Sequence, residues 1–258
     1  MVTQLEIAGV KLDRQEGLTH FHNTSWRDLE FQDCDLSDAK FFKGSLTNCR
    51  FEKCDLTRTG FWELQVNDVR LSKCKLRDSA PGGIDTMGVH IPNRFERVSF
   101  VRCDLRGSAH SCETYTDCIF SDCRLDRVDF HGAVFANCRF EGRLSEVMFR
   151  SIDPTCPEMP PNHLANCDFS KARLEGCSFV QIDLDKIILP EDPRILFLPK
   201  GPDDLRAWRV RLGKSDYFLE YLIDGAGQPS LIEKSLLDGY TSEQVSWLEE
   251  IAAGRWPA

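Results

Sequence analysis

Three neighbouring residues, His110, Cys112 and Glu113, are of the types that could carry out nucleophilic or acid–base chemistry. A histidine can activate a cysteine thiol, and a carboxylate can orient the histidine. His110 and Glu113, however, fall at places in a repeat where side chains are expected to point inward. Because an unpaired buried glutamate is costly, we expect a local bulge of the backbone or a pairing of the two polar groups. A catalytic role for this patch is the alternative.

The twelve cysteines of the chain would allow metal binding or disulfide bonds. Ten of the twelve recur two residues before a large apolar residue, where cysteine acts as a compact hydrophobe. Cys34, Cys54 and Cys74 would stack ~4.8 Å apart, whereas Cβ atoms in a disulfide lie ~3.8 Å apart. His20 and His22 have no third ligand nearby in sequence, so we interpret them as solvated. We therefore expect no metal and no cofactor.

A repeat of five residues must position these side chains. From Phe21 to Leu76 every fifth residue is large and apolar, and the residue two places earlier is usually small. This period is neither the 3.6 of a helix nor the 2 of a strand. Each unit thus sends one large and one small side chain inward, and units must stack to bury them. The residues assigned to this structural core are Phe31, Leu36, Phe41, Leu46, Phe51, Leu56, Phe61, Cys34, Cys54, Cys74, Phe120, Leu125, Phe130, Phe135, Phe169 and Leu174.

The units CDLSD (34–38), CDLTR (54–58), CDLRG (103–107) and CDFSK (167–171) resemble the motif A(D/N)LXX of the pentapeptide-repeat family. The resemblance covers roughly residues 21–189. It implies a mainly-β fold, a right-handed quadrilateral β-helix, in which four pentapeptides make one square turn and residues 20 apart stack. The units in the sequence predict about seven coils, a rod ~35 Å long at the strand spacing.

Two segments, 78–94 and 151–163, break the period with glycines or prolines and are predicted to project as loops. Binding residues tend to lie on loops held by a rigid scaffold. The candidate partner-binding residues are Pro81, Ile84, Asp85, Met87, His90, Asp153, Pro154, Glu158 and Met159. With residues 1–20 as an N-terminal cap, we assign 1–189 to the β-helix domain.

The remainder, 190–258, is predicted to be a proline-rich linker followed by a small α-helical domain docked on the last coil. Helical patterns begin near residues 203, 215 and 229, and Thr241 with Gln244 forms a capping box that opens a further helix. The apolar strip 195–198 is expected to seal the open coil. Aromatic residues of this tail, which would either anchor a partner or attach the tail to the rod, are Trp208, Tyr217, Tyr221, Trp247 and Trp256.

The overall composition narrows the function classes. A net charge of −9 argues against a nucleic-acid binder that depends on a basic stripe, so we expect no direct nucleic-acid contact. No apolar run approaches the length of a membrane span, and the N-terminus lacks a basic-then-apolar signal. We therefore expect a cytoplasmic protein with no membrane contact. No catalytic motif is present, which favours a non-enzymatic binding protein.

The family resemblance gives this binding role a specific form. Pentapeptide-repeat proteins of the quinolone-resistance type mimic DNA and bind bacterial type II topoisomerases, so the resemblance implies DNA gyrase or topoisomerase IV as the protein partner. The alternative is a toxin-neutralising or effector-type interaction scaffold that acts through its helical tail. A homodimer is compatible with either interpretation.

Overall fold

The structure, a computed structural model, describes residues 5–8, 11–13, 20–81, 91–110, 112–151, 160–180, 182, 184–198, 230–238 and 240–253. In these residues the chain is a mainly-β parallel solenoid of about six turns with little helix. The sequence predicts about seven turns, one more than the structure has. No helix in the described ranges is both long and apolar enough to cross a membrane.

Parallel sheets form the walls of the solenoid, and their strands are added coil by coil. The first sheet contains β1 (Leu5–Ala8), β3 (His20–Arg27), β5 (Lys40–Thr47), β7 (Gly60–Asn67), β9 (Ala80–Pro81), β10 (Arg94–Glu96), β12 (Thr114–Thr116) and β15 (Val134–Ala136). The second contains β2 (Lys11–Asp13), β4 (Glu30–Gln32), β6 (Arg50–Glu52), β8 (Arg70–Ser72), β11 (Ser99–Val101), β13 (Ile119–Ser121), β16 (Arg139–Ser145) and β18 (Ala172–Glu175). The third contains β14 (Asp129–His131), β17 (Met148–Arg150) and β19 (Ser178–Val180).

The register between coils is set by the five-residue period. Phe31 pairs with Phe51, 20 positions on, and their rings stack with centroids 4.6 Å apart. Where the segment after β9 is inserted, Leu71 pairs with Phe100, 29 positions on. The stacking partner is thus fixed by the phase of the repeat, and an insertion lengthens one coil without disturbing the next.

Four columns of large side chains fill the interior, and each column defines one face of the rod. Face A is built on Phe21, Phe41 and Phe61 and, beyond the coil in which Pro81 pairs with Phe61, on His110, Phe130, Phe149 and Phe179. Face B is built on Trp26, Leu46, Val66, Phe95, Tyr115, Phe135 and Leu164. Face C is built on Phe31, Phe51, Leu71, Phe100, Phe120, Phe140 and Phe169. Face D is built on Leu36, Leu56, Leu76, Leu105, Leu125, Leu144 and Leu174.

The structure places the residues assigned to the core from the sequence in one continuous buried cluster, except that Phe61 is half-buried against it. Most small residues of the units lie in the same cluster, among them Ala39, Cys49 and Cys118. The thiol of Cys54 also donates to the carbonyl of Phe31 at 3.5 Å, and Cys74 does the same to Phe51 at 3.4 Å. Thr59 donates its hydroxyl to Leu36 O at 3.0 Å in the equivalent place. Cysteine is therefore more than a compact hydrophobe here, since it also donates a hydrogen bond to the previous coil.

The polar residues of the units shape the corners. Asp35 Oδ1 accepts the backbone N–H two residues on at 2.9 Å, and Asp55 and Asp168 make the same bond at 3.0 and 2.8 Å. The corner residue that follows takes a positive φ, as at Asp38 (59°) and Arg58 (56°). The acidic position of the repeat motif thus has a local cause, because an aspartate can hold its own backbone in the turn.

The tail differs from the sequence prediction. Residues 230–233, expected to be helical, form strand β21 (Ser230–Glu233), which pairs antiparallel with β20 (Ile195–Leu198). Ile195 and Phe197 pack against the solenoid core, so the apolar strip does lie on the last coil, and pairing with it overrides helix propensity. A 3-10 turn (Lys234–Leu237) follows, and the helix α1 (Ser242–Ala252) begins after Thr241 as the capping box predicts. The helices expected near 203–212 and 215–225 lie outside the described residues, so the helical domain is represented by one short helix.

Leu56→Lys is expected to leave little folded protein. Leu56 is buried in face D, so the change loses ~2 kcal/mol of apolar burial and also places an unpaired charge in the core. Leu56→Met keeps the volume and is expected to cost less than ~1.5 kcal/mol. Urea unfolding followed by far-ultraviolet circular dichroism measures both. Equal stability of the lysine variant and the wild type would contradict the assignment of this residue to the core.

Candidate binding edge and buried polar cluster

Both interrupting segments leave the rod from one corner. The first departs after Pro81, which pairs with Phe61 on face A, and the chain returns at Phe95 on face B. The second departs after Phe149 on face A and returns at Leu164 on face B. We call this corner, between faces A and B, the binding edge. The candidate residues within the loops lie outside the described residues: Ile84, Asp85, Met87, His90, Asp153, Pro154, Glu158 and Met159.

Each re-entry point is held by a buried asparagine. Asn93 Nδ2 donates to Phe61 O at 2.8 Å, and Asn93 Oδ1 accepts from Leu64 N–H at 2.8 Å. Asn162 Oδ1 accepts from the N–H groups of Phe135 and Leu164 at 3.2 and 3.0 Å. The five-residue period does not single out either asparagine, although each follows a proline and precedes its face-B residue by two positions. These bonds fix where the chain rejoins the coil at each loop.

Other residues of the binding edge occupy the same corner in other coils. Cys112 occupies the corner position with a φ of +59° and is disulfide-bonded, unlike the ten ladder cysteines, which are free. In the earlier coils the same corner carries an ion pair, Lys43 Nζ to Glu63 Oε2 at 3.6 Å. The edge therefore combines a regular backbone with residues that differ from coil to coil.

His110 is buried in the face-A column and fully hydrogen-bonded. The Ser108 hydroxyl donates to Leu105 O, so His110 Nε2, 2.8 Å from Ser108 Oγ, must supply the proton of that contact. His110 Nδ1 then accepts from the Tyr115 hydroxyl at 2.7 Å. Burial lowers the pKa of His110 to about 3, so the ring is neutral at physiological pH.

Glu113 is fully buried in the slot two residues before Tyr115. Among the described residues neither carboxylate oxygen has a hydrogen-bond partner of normal geometry. Burial raises the pKa of Glu113 well above its usual value, and the nearby Asn93 amide and backbone lower the pKa only in part. The folded chain therefore favours the protonated, neutral form of this carboxyl.

The backbone bulge expected at this patch is wrong. Ala109 bridges Asp129 and Thr114 pairs with Val134, so the step of 20 residues is kept on both sides. Nor do the two polar groups pair with each other, because His110 is bonded to Ser108 and Tyr115. The coil keeps its register since Tyr115 and Ser108 satisfy the imidazole and protonation neutralises the carboxyl.

The arrangement does not suit nucleophilic catalysis. Both nitrogens of His110 are engaged by neighbours, the Cys112 sulfur is in a disulfide, and Glu113 has no exposed surface. The other histidines considered in the sequence, His20 and His22, lie exposed on β3, where the His22 ring lies 5.6 Å from Phe42. The described tail aromatic, Trp247, lies in α1. The remaining tail aromatics are outside the described residues: Trp208, Tyr217, Tyr221 and Trp256.

Comparison with known proteins identifies the repeats. The family model "Pentapeptide repeats (8 copies)" matches residues 34–72 and 116–142. No curated protein matches the sequence. No enzyme family is indicated, and pentapeptide-repeat proteins are generally non-catalytic scaffolds.

Several solved structures are similar to this chain. HetL, a pentapeptide-repeat protein involved in heterocyst differentiation regulation in the cyanobacterium Nostoc sp. strain PCC 7120, is 14% identical over 73% of this chain and 90% of its own, with a TM-score of 0.48. Full-length QnrB1, a plasmid-mediated fluoroquinolone resistance protein, is 16% identical over 81% of this chain and 100% of its own, with a TM-score of 0.35. Rfr23 from the cyanobacterium Cyanothece 51142 is 11% identical over 50% of this chain and 86% of its own, with a TM-score of 0.34.

Glu113→Gln is expected to flatten the dependence of stability on pH above neutrality. Because the pKa of Glu113 is raised in the folded state, the unfolded chain releases a proton that the folded chain holds. The free energy of unfolding of the wild type should therefore fall as pH rises above ~4.5, by up to ~1.4 kcal/mol per pH unit, until the folded pKa is reached. Urea unfolding between about pH 6.5 and 8.5 measures this slope. Glu250→Gln, on the exposed side of α1, is the control; equal slopes in both variants would contradict the buried-acid assignment.

His110→Phe is expected to remove the loss of stability on the acid side. The folded chain keeps His110 neutral with a pKa of about 3. The unfolded chain takes up a proton near pH 6.5, so the wild type loses stability as pH falls from ~6.5 towards ~3. The variant also leaves the Tyr115 hydroxyl without its acceptor, at ~1–3 kcal/mol, independent of pH, whereas the Ser108 hydroxyl keeps its bond to Leu105 O. Unfolding free energies at about pH 4.5 and 6.5 separate the two effects. The control is His20→Gln, at an exposed histidine. If the His110→Phe variant and this control lost the same stability between about pH 6.5 and 4.5, a buried neutral imidazole at His110 would be refuted.

Proposed function

We propose that this chain, a member of the pentapeptide-repeat family, is a non-catalytic protein-binding scaffold that meets its partner at the binding edge. The observation that supports this most is the departure of both loops from one corner of a regular coil. Loops on a rigid scaffold are a common location of binding residues, and two loops on one edge can contact the same partner. Asn93 and Asn162 hold the points where the chain rejoins the coils, so ordering these points on binding would cost little conformational entropy.

In its specific form, the proposal names a bacterial type II topoisomerase, DNA gyrase or topoisomerase IV, as the partner. The family resemblance and the net charge of −9 support this choice. On the rod itself, exposed carboxylates are often paired across coils, as in Asp38–Arg58 at 2.5 Å and Asp68–Arg97 at 2.6 Å. Paired carboxylates present less negative charge than phosphate rows do. We therefore assign recognition to the binding edge, with DNA mimicry by the right-handed rod as a secondary contribution.

We also propose a cytoplasmic location. Ten free cysteines packed in ladders suit a reducing compartment, where the disulfide of Cys112 would be open to reduction. The described tail closes the solenoid with β20 and β21, which gives it a structural role. The toxin-neutralising or effector interpretation assigns recognition to the tail alone. A variant without residues 230–258 distinguishes that interpretation from recognition by the binding edge.

A gyrase supercoiling assay, with and without a quinolone, tests the topoisomerase proposal. We expect the wild-type chain at micromolar concentration to inhibit supercoiling or to protect the enzyme from the drug. Replacing residues 82–90 by two glycines should remove the effect, because the binding edge loses one loop. Arg58→Gln, on the corner between faces D and A, is the matched control and should behave as wild type. All variants are first shown to unfold at the same urea concentration as the wild type.

The outcomes separate the parts of the proposal. No effect of the folded wild-type chain on gyrase or topoisomerase IV would reject those partners. An effect that survives the loop replacement would reject the binding edge as the site of recognition. Loss of the effect on removing residues 230–258, with the loop replacement still active, would transfer recognition to the tail.

A further inference from the structure

A group of exposed basic residues lies on face C and the corner that follows it, away from the binding edge. We call it the basic strip, and its members are Arg50, Lys53, Arg70, Lys73 and Arg102. All five are exposed, in a chain whose net charge is −9. A cluster of positive charges on an acidic chain needs a physical explanation.

Within the basic strip, positively charged residues of adjacent coils lie next to each other. Arg50 pairs in register with Arg70 in adjacent strands. At the corner, Lys53 N–H donates to the coil that carries Lys73, and Lys73 N–H donates to the coil that carries Arg102. Neighbouring coils are ~4.8 Å apart, and like charges directly opposite each other destabilise a sheet.

Other corners of the rod avoid this arrangement. The corner between faces D and A stacks Asp38 on Arg58, with the carboxylate 2.5 Å from the guanidinium. Farther along the same corner, Arg127 lies 2.8 Å from Glu146. Since the repeat accepts complementary pairs at these positions, stacked cations on the basic strip are a local departure from the rule. Such departures tend to mark functional surfaces.

The strip is little neutralised by the chain itself. Arg50 lies 3.7 Å from Glu30, and Lys73 lies 3.7 Å from Glu52, both long and exposed contacts. Arg70 donates from Nε to Ser72 Oγ at 3.2 Å. Within the described residues, no carboxylate lies within ion-pair distance of Lys53, Arg70 or Arg102.

The strip borders a shallow groove with a volume of about 450 Å³. Its polar lining contains the guanidinium groups of Arg50 and Arg70, the hydroxyls of Ser72 and Ser99 and the amide of Asn48, together with Glu52 and the Asp68–Arg97 ion pair. Guanidinium groups match the planar, two-oxygen geometry of carboxylates. The groove therefore offers hydrogen bonds as well as positive charge to an acidic side chain.

We propose that the basic strip is a docking surface for a carboxylate-rich segment of a partner protein. The stacked cations span only three coils, ~10 Å, which suits a few acidic side chains. Glu52 and Asp68 lie at the groove, so the basic strip offers a short stretch of positive charge rather than the continuous one that a nucleic-acid backbone requires. This proposal concerns a surface separate from the binding edge and does not depend on the topoisomerase assignment.

The test measures binding of a fluorescent twelve-residue oligoglutamate peptide to the full chain by anisotropy, at ~20 and ~150 mM salt. The strip variant is Lys53→Gln with Arg70→Gln and Arg102→Gln. Its control, Arg58→Gln with Arg127→Gln and Arg143→Gln, removes the same charge from paired sites. We expect the strip variant to bind at least ~10-fold more weakly than wild type, and the control to stay within ~2-fold. Removing like-charge stacking should leave the strip variant no less stable than the control in urea.

Each remaining outcome overturns the proposal. Equal weakening in both variants would show that only net charge matters. A labelled DNA duplex that binds more tightly than the peptide, and loses binding in the strip variant, would show that the surface serves nucleic acid. No measurable peptide binding by the wild type at low salt would remove the docking surface altogether.

Discussion

The structure depends on one constraint: side chains at the same phase of a five-residue repeat must share one dry interior. A unit of five residues cannot bury anything by itself, so each large side chain is covered only by its equivalents in the coils before and after. Phe120 illustrates this, with Phe100 stacked on one side at 4.8 Å and Phe140 on the other at 5.0 Å. Insertions are accepted only at corners, because an insertion within a face would break the column.

Each of four polar side chains of the interior is either hydrogen-bonded to the backbone or held in its uncharged form. Asn93 and Asn162 accept backbone N–H groups beside the loops, His110 is held as a neutral tautomer, and burial keeps Glu113 protonated. All four lie on the walls that meet at the binding edge. The same walls carry the departures of both loops, so the least regular part of the core supports the surface to which we assign recognition.

The fold was predictable because the repeat leaves little choice. Twelve apolar residues in register from Phe21 to Leu76 define the columns, and the one-residue slip before Phe149 was visible as well. What the sequence could not provide depends on contacts between distant coils. A polar residue at an inward position, such as Glu113, predicts a bulge unless the protonation state is known. Residues 230–233 read as helix because their partner strand lies more than thirty residues earlier. The sequence does not show that both interrupting segments leave from the same corner, because that depends on how the coils stack.

The account holds only if the coils stack as a rigid rod, and an electron spin-resonance distance tests this directly. Spin labels would be attached at Asp38 and Glu146 through an unnatural amino acid, leaving the native thiols unmodified. These residues occupy the same corner five coils apart, so the account predicts a narrow distance distribution centred at ~24 Å between backbone positions, plus the label arms. A broad distribution, or a centre that differs by more than ~10 Å, would mean that the columns do not stack coil on coil.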